Sequence, residues 1–451
     1  MTDAARVARL WRRVWHAFDG LAEDSLWGGA LDALAVLSSV LTFFLLNRSL
    51  TQENYGALFG LYAVVAPLGS LTFAGPGLAV LQRRLRYKEE PSEILRSILS
   101  LTLTVGIATS STALILGLLF IELTTIEIIL IITSELLVSS TIFVCSRLVQ
   151  AAVGYPAMVR VKMVVVVLKT TTVVGLFAMD ALTIRNMAAT YLLSYSCYLI
   201  WLLSRRLPSI GYEVRLGRPS TNVIRSSAVF AVPMAASSLQ LDGDKFALNV
   251  FGFSADAGLY GAAYRVVQLG SLPLRVLGQA AFHRFLPDDG DSPGHHLRKS
   301  ARLTAFMFVV GVFTAAALYF ALPLLSFLFS EEFAEAENIV PWLVLFIPLV
   351  ALSGTPMNGL LGLGRAKERA AVYLSSAGVA IVLYFLLIPG RGWEGAVIAT
   401  ISSELYLAIA SWATIIHYQR VADRRRVQSP PSPERSSPGH RYSAPVTDQV
   451  R

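Results

Sequence analysis

The residues most able to do chemistry here are charged ones set in apolar surroundings. They are Asp32, Glu135, Lys162, Lys169, Asp242, Asp244, Lys245, Arg265, Arg275 and Glu404. A charge in hydrocarbon is costly, so by default each marks a polar cavity, an ion pair or a transport path. Lys162 and Lys169 stand seven apart on nearly one helix face, which continues to Thr172, so that face is expected to be wet. Lys162 lies near a span end and can snorkel as an anchor. Lys169 is about 12 residues in, or ~18 Å, and cannot easily reach water. Asp242 and Lys245 are three apart and can neutralise each other within one helix. Arg265 and Arg275 share a span without an acid, so their partners come from elsewhere or from a substrate. The guanidinium fork matches phosphate oxygens. Lys169, Lys245, Arg265 and Arg275 are therefore the candidate binding set for an anionic, phosphate-bearing headgroup. Glu404 shares a face with Thr400 and Ser411, which makes that helix polar on one side.

The elements that carry these residues are apolar blocks of about 20 residues, the length a helix needs to cross ~30 Å of hydrocarbon. The 451 residues are 54% hydrophobic and only 15% charged, against roughly 25% charged in soluble domains. The expected fold is all-α and polytopic, with about a dozen transmembrane helices and no soluble catalytic domain. A first lobe of six spans over 26–204 and a second over 224–419 are joined by a linker at 205–223 carrying Pro208, Gly211, Gly217 and Pro219. Paired repeats around a shared site are a common transporter plan. Residues 1–25, with Arg6, Arg9, Arg12 and Arg13 among Trp11, Trp15 and Phe18, are expected to form a basic amphipathic segment on the cytoplasmic leaflet. Residues 420–451, rich in Ser, Pro and Arg, are expected to be a disordered cytoplasmic tail.

Charge placement decides what the excess of +8 means. In a twelve-span assignment, 31 of the 38 Lys and Arg residues fall on one side, as the positive-inside rule requires. That pattern removes the nucleic-acid reading and puts both termini in the cytoplasm. The opposite loops are short, and the one at 330–338 is acidic. Cys145 and Cys197 lie inside apolar spans and suggest no disulfide. No Walker-type phosphate loop is present, and His295 with His296 beside Asp288, Asp289 and Asp291 reads as a solvated loop rather than a metal site. Helix-breaking residues fit a moving machine, and Gly75-Pro76-Gly77 is the best hinge candidate.

Three segments then resemble the polysaccharide-transporter flippases of the multidrug/oligosaccharidyl-lipid/polysaccharide exporter superfamily. Leu50 to Gly56 resembles that family's L-x-x-x-x-Y-G step between the first two spans. Asp244-Lys245, Gly258-Leu259-Tyr260, Ala262-Ala263-Tyr264-Arg265 and Phe285-Leu286-Pro287 resemble its D-[KR] … G-x-Y-x-x-A-x-[KR] … P stretch. Gly362-Leu363-Gly364-Arg365-Ala366-Lys367, then Ile388-Pro389 with Gly392, Gly395 and Ala396, resembles its pattern over the last three spans. Asp242, Gly243 and Glu404 depart from the pattern.

The resemblance implies two six-helix lobes around a central cavity that opens alternately to either side of a bacterial plasma membrane. It implies flipping of an isoprenoid-diphosphate-linked oligosaccharide to the outer leaflet, with membrane lipid and other glycan-assembly proteins as partners. No cofactor is expected, but a proton or sodium gradient could drive the swing through Asp32, Glu135, Asp244 or Glu404. A carboxylate buried in one state binds the coupling ion unequally in the two states, which is what shifts the equilibrium. The rivals are a cation-coupled multidrug exporter of the same superfamily and a membrane-embedded glycan polymerase or acyltransferase. The first would want an acidic, aromatic cavity, and the second a sizeable outer loop for its catalytic residues.

Overall fold

A computed structural model describes residues 27–86, 88–219, 221–274, 277 and 293–428. The N-terminal basic segment, the tail beyond 428, Arg275 and the Asp288–Asp291 acids lie outside them. Among the described residues the structure is helical, with no strand. The helices are α1 (Trp27–Ser49), α2 (Gln52–Arg84), α3 (Pro91–Phe120), α4 (Thr125–Val153), α5 (Tyr155–Ala178) and α6 (Ile184–Ile210). The second lobe holds α7 (Thr221–Val250), α8 (Ser254–Gly270), α9 (Pro293–Leu325) and α10 (Phe346–Gly362). One continuous helical stretch, Ala366–Gln428, completes it. Gly392, at φ 54° and ψ −129°, breaks that stretch into α11 (366–391) and α12 (393–428). Only glycine adopts that backbone readily, which accounts for the glycine-rich run after Ile388-Pro389.

Most of these helices are long and apolar enough to span a bilayer. α8 has 17 residues and α7 carries Gln240, Asp242, Asp244 and Lys245, whereas α10, also of 17 residues, reaches span length with the turns that precede it from Ala336. The faces turned away from the bundle bear Leu119, Phe313, Phe320, Leu324 and Leu386, all exposed, as lipid-facing positions should be. Cys145 is buried, whereas Cys197 is exposed rather than in the core.

The lobes meet along α2, which lies against α7 and α8. Glycines make this approach possible. A Cβ at Gly56 would collide with the Ser254 carbonyl, and one at Gly258 with the Gln52 carbonyl. At the other end, a Cβ at Gly75 would collide with the Ser227 carbonyl of α7. The Gly75-Pro76-Gly77 step does not break α2, because Gly75 keeps right-handed helical angles. The irregularity sits just before it, where Ser70–Ala74 form a π-helical turn. Of the three further π turns among the described residues, Gln82–Arg86 and Leu202–Arg206 lie at helix ends, and Thr133–Ser139 interrupts α4 beside the turn at Ser70–Ala74. Such turns concentrate at functional sites, and those at Ser70–Ala74 and Thr133–Ser139 border the cavity described next.

Candidate functional site

The α1–α2 corner lies at one end of α2, with Arg83 and Arg84 at the other, basic end, and the corner end is the far face. There the first lobe grips a strap of the second. The Asn47 amide donates to the Leu328 carbonyl, and the Ser330 hydroxyl donates to the Asn47 carbonyl, each at 2.6 Å. Arg48 donates to the Phe327 carbonyl at 2.9 Å. The Gln52 backbone N–H donates to the Glu332 carboxylate at 3.0 Å, and its side-chain amide to the Glu332 carbonyl. Tyr55 backs this seal, with its ring 4.4 Å from Phe59 and 5.3 Å from Phe333 between centroids. The Asn249 amide adds a buried bond to the Gly56 carbonyl at 3.0 Å. These bonds tie the two lobes together at the far face.

Behind the seal lies a cavity of about 640 Å³, lined by α1, α2, α4, α5 and α6 and by α7 and α8 of the other lobe. Phe43, Phe59, Tyr62, Phe73, Phe143 and Tyr191 give it an aromatic wall. Tyr55, Phe59 and Tyr62 follow helical spacing along one face of α2, the one sequence signal that points to this wall. The π turns supply Ser70 and Phe73 from α2 and Glu135 and Ser139 from α4.

Of the expected cation set, Lys169, Lys245 and Arg265 line this one cavity. They are not equivalent. The Lys169 ammonium is 3.8 Å from Glu135, with side chains 38% and 16% exposed, and 5.5 and 5.7 Å from the Tyr62 and Tyr191 rings. One buried Glu135 oxygen has no hydrogen-bond partner. Lys245 is held at 2.9 Å by Asp244 and 3.2 Å by Asp242, so two carboxylates already offset its charge. Arg265 hydrogen-bonds Gln268 at 3.1 Å and lies over the Phe59 ring at 4.9 Å. Among the described residues no carboxylate is within ion-pair distance of it.

The expected coupling carboxylates separate into three places. Glu135 faces the cavity. Asp32 sits on α1 as an electrostatic neighbour of Lys162. Asp244 and Glu404 belong to a buried polar cluster inside the second lobe. One Asp244 oxygen accepts from Lys245, and the other from the Tyr260 hydroxyl at 2.5 Å and the Thr400 hydroxyl at 3.0 Å. Glu404 accepts from Ser353 at 2.6 Å and from Gln240 at 3.2 Å. The Gln240 carbonyl accepts from Tyr384 at 2.8 Å, which ties α7 to α11. Sequence reasoning missed Tyr260, Ser353, Gln240 and Tyr384, because single polar residues in a span carry no periodic signal. Among the described residues no group of three or more His, Cys, Asp or Glu could hold a metal ion.

No family model and no curated protein matches the sequence. Solved structures do match the fold. A multidrug resistance MATE family transporter of the MOP superfamily, in an inward-facing conformation, is similar at TM-score 0.64 and 16% identity, over 86% of this chain and 96% of that one. The MATE multidrug transporter DinF-BH in complex with R6G is similar at TM-score 0.62 and 16% identity, over 90% and 96%. A MOP superfamily transporter from Pyrococcus furiosus Vc1, described as having a binding pocket of reverse polarity, gives TM-score 0.59 at 16% identity, again over 90% and 96%. The chain has the two-lobe helical fold of these transporters. Two of the three are described as MOP superfamily transporters and two as multidrug transporters, and none as a polysaccharide flippase.

Proposed function

We propose that this protein is a membrane exporter of drug-sized amphipathic solutes that works by alternating access. The basic face is its cytoplasmic side, and the solute leaves through the far face. The observation that carries this reading is an aromatic-walled cavity of about 640 Å³, lined mostly by the first lobe and bounded by α7 and α8 of the second, behind the contacts that join the lobes at the far face. That volume falls within the roughly 300–1,000 Å³ range of sites for drug-sized ligands. An excess of intramembrane cations would count against a drug exporter, but Lys245 is offset by two acids and Lys169 by one. What remains is a charge-mixed cavity in which Arg265 selects for an anionic group on an otherwise aromatic or apolar solute. Glu135, whose buried Oε1 faces Lys169 across 3.8 Å and accepts no hydrogen bond, is the cavity group best placed to exchange a proton or sodium ion for the solute.

A second reading, flipping of an isoprenoid-diphosphate-linked oligosaccharide, is favoured by the same Arg265, since a guanidinium without a carboxylate suits a diphosphate. Proteoliposomes containing the full-length protein distinguish the two. Uptake of an anionic or zwitterionic fluorescent dye, driven by an imposed proton or sodium gradient, is the expected result. Absence of dye movement, together with accumulation of a lipid-linked glycan in cells lacking the protein, would replace the exporter reading with the flippase. Absence of both would overturn each.

A further inference from the structure

On the basic side of the first lobe, two cations share one aromatic ring. The Arg147 guanidinium is 5.3 Å from the centroid of Phe143, and the Lys162 ammonium is 4.2 Å from it. Both residues are half-buried. They repel each other, and the acid that acts on Lys162 is Asp32, which makes no ion pair with it. Among the described residues no carboxylate lies within ion-pair distance of either cation. Arg147 donates to the Gln150 amide oxygen at 2.8 Å and to the Met158 sulfur at 3.5 Å, while its Nε is buried without a partner. Two like charges held together in a half-dry site are unfavourable unless an anion joins them.

The packing shows that the arrangement is built rather than incidental. A Cβ at Gly77 of α2 would stand 3.1 Å from the Arg147 Cγ and 3.5 Å from Phe143, so the glycine leaves room for the arginine stem. Arg147 is six residues from the basic end of α4, and Lys162 is seven from the start of α5. Both therefore lie ~10 Å inside the helix ends on that side. Phe143 also lines the central cavity, so the cluster adjoins it.

We propose that Arg147 and Lys162 form a phosphoryl-anion site at the level of the basic-side leaflet, distinct from the Arg265 cavity. A guanidinium supplies two parallel donors to phosphate oxygens, and an ammonium supplies a third as a point charge. Basic pockets between helices on that side suit anionic lipid headgroups. The site stands whichever solute the cavity carries.

Native mass spectrometry of the full-length protein with phosphatidylglycerol tests it, with diacylglycerol, which lacks the phosphoryl group, as the uncharged comparison. The expected result is retained phosphatidylglycerol in the wild type and in R84Q, and about tenfold weaker retention in R147Q/K162Q, matching the loss of one or two charge-assisted hydrogen bonds. Should the double variant fail to fold, K162Q alone, which leaves α4 untouched, is expected to show a smaller loss in the same direction. Displacement of the lipid by inorganic phosphate assigns the site to a free phosphoryl anion, and persistence of the lipid assigns it to the headgroup. Equal phosphatidylglycerol retention by wild type and K162Q, with no effect of phosphate on either, overturns the proposal.

Discussion

Lys245 and Asp244 are adjacent in sequence, and their charged groups close on each other at 2.9 Å with side chains 3% and 0% exposed. A residue and its neighbour normally point to different sides of a helix. Here the lysine folds back onto its own turn, accepted by the Leu241 carbonyl at 3.0 Å as well as by the two acids. The pair therefore belongs to the interior of the second lobe, with one edge reaching the cavity. Lys169 and Glu135, looser and wetter, belong to the cavity itself.

The first consequence concerns Asp244. Asp244→Asn removes a charge that satisfies Lys245, Tyr260 and Thr400 together. Breaking a buried pair from one side costs about 3–5 kcal/mol, so thermal unfolding in detergent should shift down sharply. Asp242→Asn, at a residue 32% exposed, should cost less than about 1 kcal/mol. Equal effects of the two substitutions would show that Asp244 is not the centre of the cluster.

Gly56 and Gly258 carry a prediction about conformation. Each lies where a Cβ meets backbone of the opposite lobe, and backbone cannot move aside as a side chain can. Gly56→Ala and Gly258→Ala should wedge the far face apart and favour the state open on that side. A disulfide engineered between positions 52 and 332, joined here by the Gln52–Glu332 bonds, should form readily in the parent and poorly in either alanine variant. Unchanged cross-linking would mean that the seal does not depend on this crossing.

Much of this architecture could be read from block length and charge alone. Apolar runs of span length and the one-sided Lys and Arg distribution pointed to the helices and to the basic face before any packing was known. The motif glycines could be picked out too, but not their reason. Gly56 and Gly258 face each other's helices across the lobes, and such partners are invisible to spacing within one helix. The same limit applies to the charges. Spacing placed Lys245 with Asp242, yet Tyr260 and Thr400 complete the surroundings of its other acid, Asp244, only once α8 and α12 have docked on α7. The π turns that carry Ser70 and Glu135 toward the cavity leave no clear trace in hydropathy, because one extra residue in a turn does not change composition.

Arg265 and Lys169 separate substrate charge from cavity hydration. Arg265→Ala removes the cavity cation that lacks an acid, so transport of anionic solutes should fall at least about tenfold while neutral ones fall less, since charge-assisted bonds contribute roughly 1.5–3 kcal/mol. Lys169→Ala leaves Glu135 without its cation in a partly buried site. Its effect should fall on gradient-driven transport of every solute, with membrane insertion intact. A dye-transport assay across both variants and both solute charges reads the difference, and identical profiles would sink the separate roles.

Glu404 provides the most direct test of coupling in the second lobe. Its carboxylate is buried between α7, α10 and α12, 3% exposed, with Ser353 and Gln240 as donors. Among the described residues no cation is within ion-pair distance. An amide has nearly the same shape and can still accept from Ser353, so Glu404→Gln should fold and keep or raise its unfolding temperature. Replacing a buried charge with a neutral isostere removes its desolvation cost. If Glu404 exchanges an ion as the lobes swing, the same variant should bind solute normally yet lose accumulation against a gradient, because position 404 then cannot differ in charge between the two states. Binding and gradient-driven uptake measured on one preparation decide the matter. A variant that still accumulates solute, with the gradient dependence of the parent, would leave Glu404 as structural and return coupling to Glu135.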